Sequence, residues 1–543
     1  MEQSKTQLPK IAIDYVDFVI CKMGYRRKIR LEVREELLGH FEDALAECAD
    51  EQEKIRRAEE LIREFGDAKL LGKLIRRGKK RCRPLWRRMV ARMFQAVGVM
   101  ILLLILYIGW FFSGKPVITT NYLEVMNQQV RPVADANQNA WPFYKQAAEK
   151  YVEPNDKEFD LSLRPLAELS DADRGVILQL IKDNQESLDL IRQGNQKPYY
   201  WQVYDTGESK SNEMLEVLMP HLASYRDLSR LICWQAMLAA EQGNMQKAFN
   251  HALEIYSLGQ HLRGQNTTLI EQLVAMAIEA MSTNTMRTLL DENIQNIEVS
   301  LLASFQKRFE AMIASENFTV SFEAEKLMFY DEIQRSFTQT RIGKSHLYVQ
   351  RVSQLGDGFG SNDLAFLVLR PDILFTHPDR EQTRQTVNRF YAEMSRLAAI
   401  TPASLRKQGV DINKRVEELT RNNLLLKILA PALGRINLLS WRNKADTAAT
   451  LTIFAILQYH KTHNAYPDSL DLLVQGGLLG ELPIDPFSDA PLVYRKTDDG
   501  FTLYSVGLNF TDDSGVMDKD SKGKPALWND KDGDAVFWPK ARD

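Results

Sequence analysis

The chain has 543 residues, 44% of them hydrophobic, and a formal net charge of -3. This length exceeds what one hydrophobic core normally holds, so we expect several domains. Cys21, Cys48, Cys82 and Cys233 are too few and too scattered for a disulfide framework or a metal site.

Residues 1–78 predict a cytoplasmic α-helical domain. Apolar residues recur at helical spacing in stretches that are otherwise charged. The pattern Arg-x-Glu-x-x-x-His-x-x-Asp-Ala resembles the HTH-associated α-helical signalling domain, a permease-prefix-like module that precedes membrane segments. The residues that carry it are Arg34, Glu35 or Glu36, His40, Asp43, Ala44 and the stretch 64–68. The resemblance implies a protein-interaction role.

A basic juxtamembrane linker, 79–92, and an apolar segment follow. Between Lys69 and Arg92 the chain has eleven Lys or Arg and no acid. Residues 93–112 carry one polar side chain, Gln95, and about twenty apolar residues in a helix match the bilayer core. We therefore predict one transmembrane helix at 93–113, with residues 1–92 cytoplasmic and the rest outside. Beside such a helix, the basic run indicates contact with membrane lipid and not with nucleic acid.

Residues 114–420 predict a periplasmic helical domain. Two successive amphipathic stretches resemble a tetratricopeptide-type helical hairpin, in which small residues let two helices approach closely. These small residues are Ala239, Ala240, Gly243, Ala248 and Ala252. One hairpin does not establish a repeat array, but a helical scaffold of this kind commonly binds another protein. The chain has no Gly-x-Ser-x-Gly or His-Glu-x-x-His motif, so we expect no catalytic set.

Residues 421–543 predict a small α+β domain. We expect a soluble amphipathic helix over 424–441, because Lys427, Pro431, Arg435 and Asn437 interrupt its apolar run. A second helix is expected over 444–463. Its predicted apolar face consists of Ala448, Leu451, Ala455 and Tyr459. Strands are expected over 492–496 and 501–507, joined by a tight turn, with an Asp-rich loop running on to Trp538.

This ending resembles the globular part of the major pseudopilin of type II secretion systems. The resemblance extends over about a hundred residues and is carried by Tyr459, Tyr466, Pro467, Leu470, Leu473, Gly477, Leu482, Pro483, Asp485, Pro486, Tyr494, Tyr504, Ser505 and Gly507. Similar tails occur on large membrane proteins of planctomycete-type bacteria. No pilin leader site precedes the pilin-like helix, so we do not expect pilin-like processing or polymerisation.

The pseudopilin resemblance implies a calcium site in the loop after the last predicted strand. The family's ligand positions correspond to Val506, to Asn509, and to one or more of Asp530, Asp532 and Asp534. Calcium prefers six to eight oxygen ligands, which carboxylates and carbonyls supply. Asn509 stands where the family prefers Asp, and this loop is longer. A solvated acidic tail is the alternative.

Together these features predict a mainly α multidomain membrane protein of the bacterial inner membrane. We expect a single-pass scaffold with no enzymatic activity and with protein partners on both sides of the membrane. The resemblance suggests a type II secretion or pilus-like assembly as one partner. The alternatives are a periplasmic, membrane-anchored hydrolase that uses the helical domain, and a signalling receptor, although the chain has no recognisable output domain.

Overall fold

Helices dominate this computed structural model. It describes residues 8–81, 85–162, 164, 166–207, 211–264, 266–314, 316–339, 345–358, 376–430, 433–517, 519–520, 523–528 and 533–540. The chain divides into two units, Met1–Trp110 and Phe111–Asp543.

The first unit is helical, as its charged amphipathic stretches predict. Its helices are α1 Lys10–Met23, α2 Arg27–Leu45, α3 Glu51–Phe65, α4 Ala68–Arg81 and α5 Leu85–Phe111, whose last residue belongs to the second unit. Val16, Val19 and Phe41 are buried between the first helices, and the Asp50 side chain caps α3. Within α5, the segment Met89–Phe111 is long and apolar enough to cross a membrane, as predicted at this position.

The second unit is a large helical assembly that ends in two small antiparallel sheets. Its helices, α6 to α22, are Tyr122–Val130, Trp141–Glu149, Asp156–Ser162, Asp171–Asp183, Gln185–Asn195, His221–Glu241, Met245–Leu262, Leu269–Asn293, Val299–Ala314, Glu323–Ser336, Val349–Gly358, Arg380–Ala398, Pro402–Lys407, Ile412–Thr420, Leu424–Leu429, Leu433–His463 and Asp471–Gln475. Short 3-10 turns lie at Ala136–Gln138, Leu166–Glu168, Met214–Glu216 and Ile294–Asn296.

The predicted helical hairpin is confirmed in α11 and α12. Gly243 makes the turn between them with a positive φ of 77°. Ala248 and Ala252 are fully buried, which is what a close approach of two helices requires. The following helix, α13, comes so near α12 that a Cβ on Gly259 would lie 2.6 Å from the Cγ of Glu279.

The bounds predicted for the two helices over 424–441 and 444–463 are wrong. Helix α20 ends at Leu429, and α21 runs without interruption from Leu433 to His463. The proline at position 431 accounts for the break, because a residue before proline disfavours helical backbone. The predicted apolar face is confirmed in part: Ala455 is fully buried, and Leu451 and Tyr459 pack against the core. Ala448 is only half-buried, and the buried surface extends to Ala449 and Ile453, which were not predicted.

The strands form two small antiparallel sheets. Strands β1 Ile484–Asp485 and β2 Ala490–Pro491 pair with each other, and β3 Val493–Lys496, β4 Phe501–Ser505 and β5 Ala535–Trp538 form the second sheet in that order. The predicted hairpin of β3 and β4 is confirmed. The Asp-rich segment is not loop throughout, because its end forms β5 and pairs with β4.

One hydrophobic core joins the helical region to this sheet. Phe249 and Phe305 of the helical region pack with Phe454 of α21, and the same cluster includes Leu503 of β4 and Phe537 of β5. The two regions that the sequence analysis separates at residue 421 therefore share their interior.

This shared core predicts that a C-terminal substitution destabilises the helical region as well. Leu503 is fully buried, so Leu503→Ala should lower the free energy of unfolding by about 2–5 kcal/mol. The measurement is denaturation of the full-length protein, followed by circular dichroism at 222 nm. Leu178→Ala, at a position 52% exposed, is the matched control and should change stability little. An unchanged helical transition in the Leu503 variant would contradict the shared core.

Candidate functional site

The corner before the C-terminal sheet is held by Asp485. This carboxylate is fully buried and accepts hydrogen bonds from the Ser505 hydroxyl at 2.8 Å and from the Val506 backbone N–H at 3.1 Å. Burial raises the pKa of Asp485, although these donors act in the opposite direction. The aspartate of the Leu-Pro-x-Asp-Pro stretch thus fixes the point at which the chain leaves β4 and enters the acidic loop.

The acidic loop folds back on itself at Gly507 and Asp534. Gly507 has a φ of 70°, and a Cβ there would lie 2.9 Å from the carbonyl oxygen of Gly533, so the close approach requires glycine. The buried Asp534 carboxylate accepts from the backbone N–H groups of Gly515 at 2.7 Å and Asp513 at 3.2 Å. Its role here is to close the loop.

Of the predicted calcium ligands, the structure describes Val506, Asn509 and Asp534, whereas Asp530 and Asp532 lie outside the described residues. Asn509 donates from Nδ2 to the Asp513 carboxylate at 2.6 Å, and the backbone N–H of Asp513 contacts Asp534. The fold therefore brings Asn509 and Asp534 to a common neighbour.

Acidic charge accumulates around Asp534. Burial raises the pKa of Asp534, and the carboxylates of Asp512 and Asp513 raise it further. This donor chemistry suits a hard cation, which would relieve the repulsion. In the part of the chain that the structure describes, however, no three His, Cys, Asp or Glu side chains group together closely enough to hold a metal ion.

A cavity of about 540 Å³ lies directly beside this loop. Three parts of the second unit form its walls: the segment from α17 to α19, the first turns of α21, and the loop after β4. The first part contributes Leu397, Pro402, Leu405, Arg406, Gly409, Val410, Asp411, Ile412 and Asn413; the others contribute Asn437, Leu438, Trp441, Leu508 and Phe510. Its size and mostly apolar lining are typical of a ligand-binding site.

Helix caps hold the segment from α17 to α19, which forms one wall of the cavity, in place. Thr401 caps α18 through the backbone N–H of Ser404, and Pro402 occupies the first turn, where proline is favoured. The Asp411 carboxylate caps α19 by accepting from the backbone N–H groups of Asn413 and Lys414. The short connection between these two caps forms one side of the cavity.

Asp489, in the turn between β1 and β2, ties this wall to the β1–β2 hairpin. Its carboxylate accepts from the hydroxyls of Thr401 and Ser404, and Lys407 lies 3.1 Å away. Burial acts to raise the pKa of Asp489, but these hydrogen bonds outweigh it and the pKa is lowered. The carboxylate therefore stays ionised and keeps α18 attached.

Arg406 connects the same wall to the acidic loop. Its Nη1 donates to the carbonyl oxygen of Asn509 at 2.7 Å, and its guanidinium lies over the Phe510 ring, 4.7 Å from the centroid. The wall of the cavity is therefore in direct contact with the loop that the sequence predicts to bind calcium.

Asn437 is the buried polar residue of the cavity wall. It is 2% exposed, and neither its Nδ2 nor its Oδ1 has a hydrogen-bond partner among the residues that the structure describes. Leaving a buried polar group unpaired costs about 1–3 kcal/mol. From the sequence, Asn437 is only one of several polar interruptions in an apolar run, so its position in a cavity could not be foreseen.

Buried acids also occur in the helical region, away from any predicted motif. Glu271 is fully buried and accepts from the Tyr204 hydroxyl at 2.6 Å, and burial raises the pKa of Glu325 to about 8, with Glu271 adding to the effect. Glu279 is also fully buried and lies 3.2 Å from Arg263. Because Glu271 and Glu279 lie beneath the surface, neither can contact a substrate in this conformation.

The chain matches no protein-family model, no curated protein and no solved structure. The resemblances to a pseudopilin and to an α-helical signalling domain therefore stay predictions from the residues that carry them.

Proposed function

We propose that this protein is a membrane-anchored binding scaffold whose second unit holds an apolar ligand in the cavity beside the acidic loop. The observation that carries the proposal is the cavity itself: it is largely apolar and is built jointly by the helical region and the C-terminal loop. Two regions that share a core can keep such a cavity preformed, which lowers the cost of binding.

In this proposal, α5 anchors the protein in the bacterial inner membrane. The basic residues before it favour a cytoplasmic location for α1 to α4 and a periplasmic location for the second unit. The first unit then offers a helical surface to a cytoplasmic protein. The pseudopilin resemblance supports a type II secretion or pilus-like assembly as the periplasmic partner.

The hydrolase alternative receives less support from the arrangement of acids. A general acid or base has to reach the substrate, directly or through one water molecule. The buried Glu271 and Glu279 do not meet this requirement in the described conformation. These two acids therefore give the hydrolase alternative no support.

Binding in the cavity can be tested with indole, a small apolar probe, and full-length protein in phosphatidylcholine nanodiscs. Saturation-transfer NMR, with empty nanodiscs as background, should detect binding to the native protein. Val410→Trp places a large ring in the cavity wall and should weaken indole binding at least tenfold. Val133→Trp, at a fully exposed position, is the control and should bind normally. Equal binding by the Val410 variant would overturn the proposal.

A calcium-stabilised loop is the second part of the proposal. If Asp534 contributes to a calcium site, saturating calcium should stabilise the second unit by about 2–3 kcal/mol at a hundred times its Kd. The measurement compares the melting temperature of the full-length protein in calcium and in chelator. Asp534→Asn should remove this difference, whereas Asp498→Asn, in the β3–β4 turn, should keep it. A native protein with the same melting temperature in both conditions would contradict calcium binding.

A further inference from the structure

We infer that the first unit binds anionic phospholipid headgroups through a basic surface that α4 and the start of α2 form together. The residues of this basic surface are Arg26, Arg27, Lys28, Leu70, Lys73, Leu74 and Arg77. The inference rests on the membrane anchor of the proposed function and is independent of its cavity. Three features carry it: the exposed side of α4, a second basic segment beside it, and the short connection to the membrane-spanning segment.

Close packing on α1 determines which side of α4 is exposed. A Cβ on Gly72 would lie 2.8 Å from the carbonyl oxygen of Val19, so glycine allows the two helices to approach this closely. Leu71 and Ile75 pack against the core from the same side of α4. The opposite side presents a row of four exposed residues: Leu70, Lys73, Leu74 and Arg77.

This exposed row combines apolar and basic side chains, as a helix on a membrane surface does. Leu70 and Leu74 lie one turn apart and are 59% and 52% exposed, and α4 contains no acidic residue. Leucines that reach the acyl boundary and cations that reach headgroup phosphates reinforce each other. A nucleic acid would neutralise the cations but leave the leucines in water, so the row favours lipid.

The fold places a second basic segment beside α4. A Cβ on Gly24, at the end of α1, would lie 3.4 Å from Nη1 of Arg76. Arg26, Arg27 and Lys28 follow Gly24 closely and are exposed. They stand at the start of α2, where the helix dipole disfavours positive charge. A bound anion would offset this repulsion.

Acidic side chains of the protein leave these cations available. Residues 22–31 hold five Lys or Arg and residues 68–81 hold seven, and neither segment has an acid. The five cations of the basic surface form no ion pair with any residue that the structure describes. Lys79 of α4 does pair with Glu36 of α2 at 3.1 Å, which ties the two helices together outside the exposed row.

The connection to α5 keeps the basic surface near a bilayer. The segment that is long and apolar enough to span begins at Met89, eight residues after α4 ends at Arg81. Eight residues reach less than about 30 Å even when fully extended. When α5 spans the membrane, the end of α4 therefore has to stay close to the headgroups, and this tether raises their effective concentration.

Lysine acetylation, read by mass spectrometry, tests the contact on the full-length protein. The protein is placed in nanodiscs of phosphatidylcholine alone or of phosphatidylcholine mixed equally with phosphatidylglycerol. Because bound headgroups cover the amines, Lys28 and Lys73 should react at least threefold more slowly in the anionic nanodiscs. Lys10, about 20 Å along α1 from Met23, is the internal control and should change little. About 1 M NaCl should abolish the slowing, because salt screens exposed charges.

A pair of double variants tests the leucines of the row. Leu70→Ser with Leu74→Ser keeps every charge and should cut the slowing of Lys28 by at least half, because the apolar contact is lost. Ile11→Ser with Ile55→Ser changes two exposed positions outside the basic surface and should keep the slowing. Equal rates for Lys28 of the native protein in both nanodiscs would overturn the inference, as would an unchanged slowing in the leucine variant.

The other outcomes are also decisive. If a short DNA duplex slows Lys28 and Lys73 in phosphatidylcholine nanodiscs and phosphatidylglycerol does not, the partner is a nucleic acid and the inference is wrong. If Lys10 slows as much as Lys28, the bilayer attracts positive charge in general and the basic surface is no binding site. If the protein enters neither kind of nanodisc, the membrane anchor of the proposed function fails, and the inference fails with it.

Discussion

The second unit depends on a single helix, α21, that is buried on nearly every side. From Ala445 to Leu457 it presents apolar residues to α13, α14 and the sheet, so that no solvent-facing stripe extends along this part. A helix that is covered all round has to lie in the centre of a core. Its position determines where the helical region ends and where the C-terminal sheet can pack.

Polar contacts fix the register of α21 against α13. Asp446 lies 3.0 Å from Arg287, and Asn443 donates to Glu279 at 2.9 Å. Buried charges are costly unless they are paired, so a helical slip would separate these groups and be strongly unfavourable. The same register places Trp441, about one turn before Asp446, and Asn437, about one turn before Trp441, in the cavity wall. The core and the candidate site are thus set by one helix.

The sequence predicted those features that depend on local patterns. The hairpin of α11 and α12, the turn between β3 and β4, and the apolar helix ending at Phe111 follow from small-residue spacing, turn residues and hydropathy. The long-range features could not be predicted in this way. Strand β5 forms because Ala535–Trp538 meets β4 about thirty residues earlier in the chain. The cavity is lined by three segments that are distant from one another in the chain.

The central claim is that the helical region and the C-terminal sheet unfold together, as one cooperative unit built around α21. Native-state hydrogen exchange of the full-length protein, read by mass spectrometry, tests it most directly. The account predicts that the slowest-exchanging amides of α13, α21 and β4 share the same opening free energy. Increasing denaturant should lower this free energy by the same amount in all three elements. A sheet that opens at a clearly lower free energy while α13 stays protected would contradict the claim.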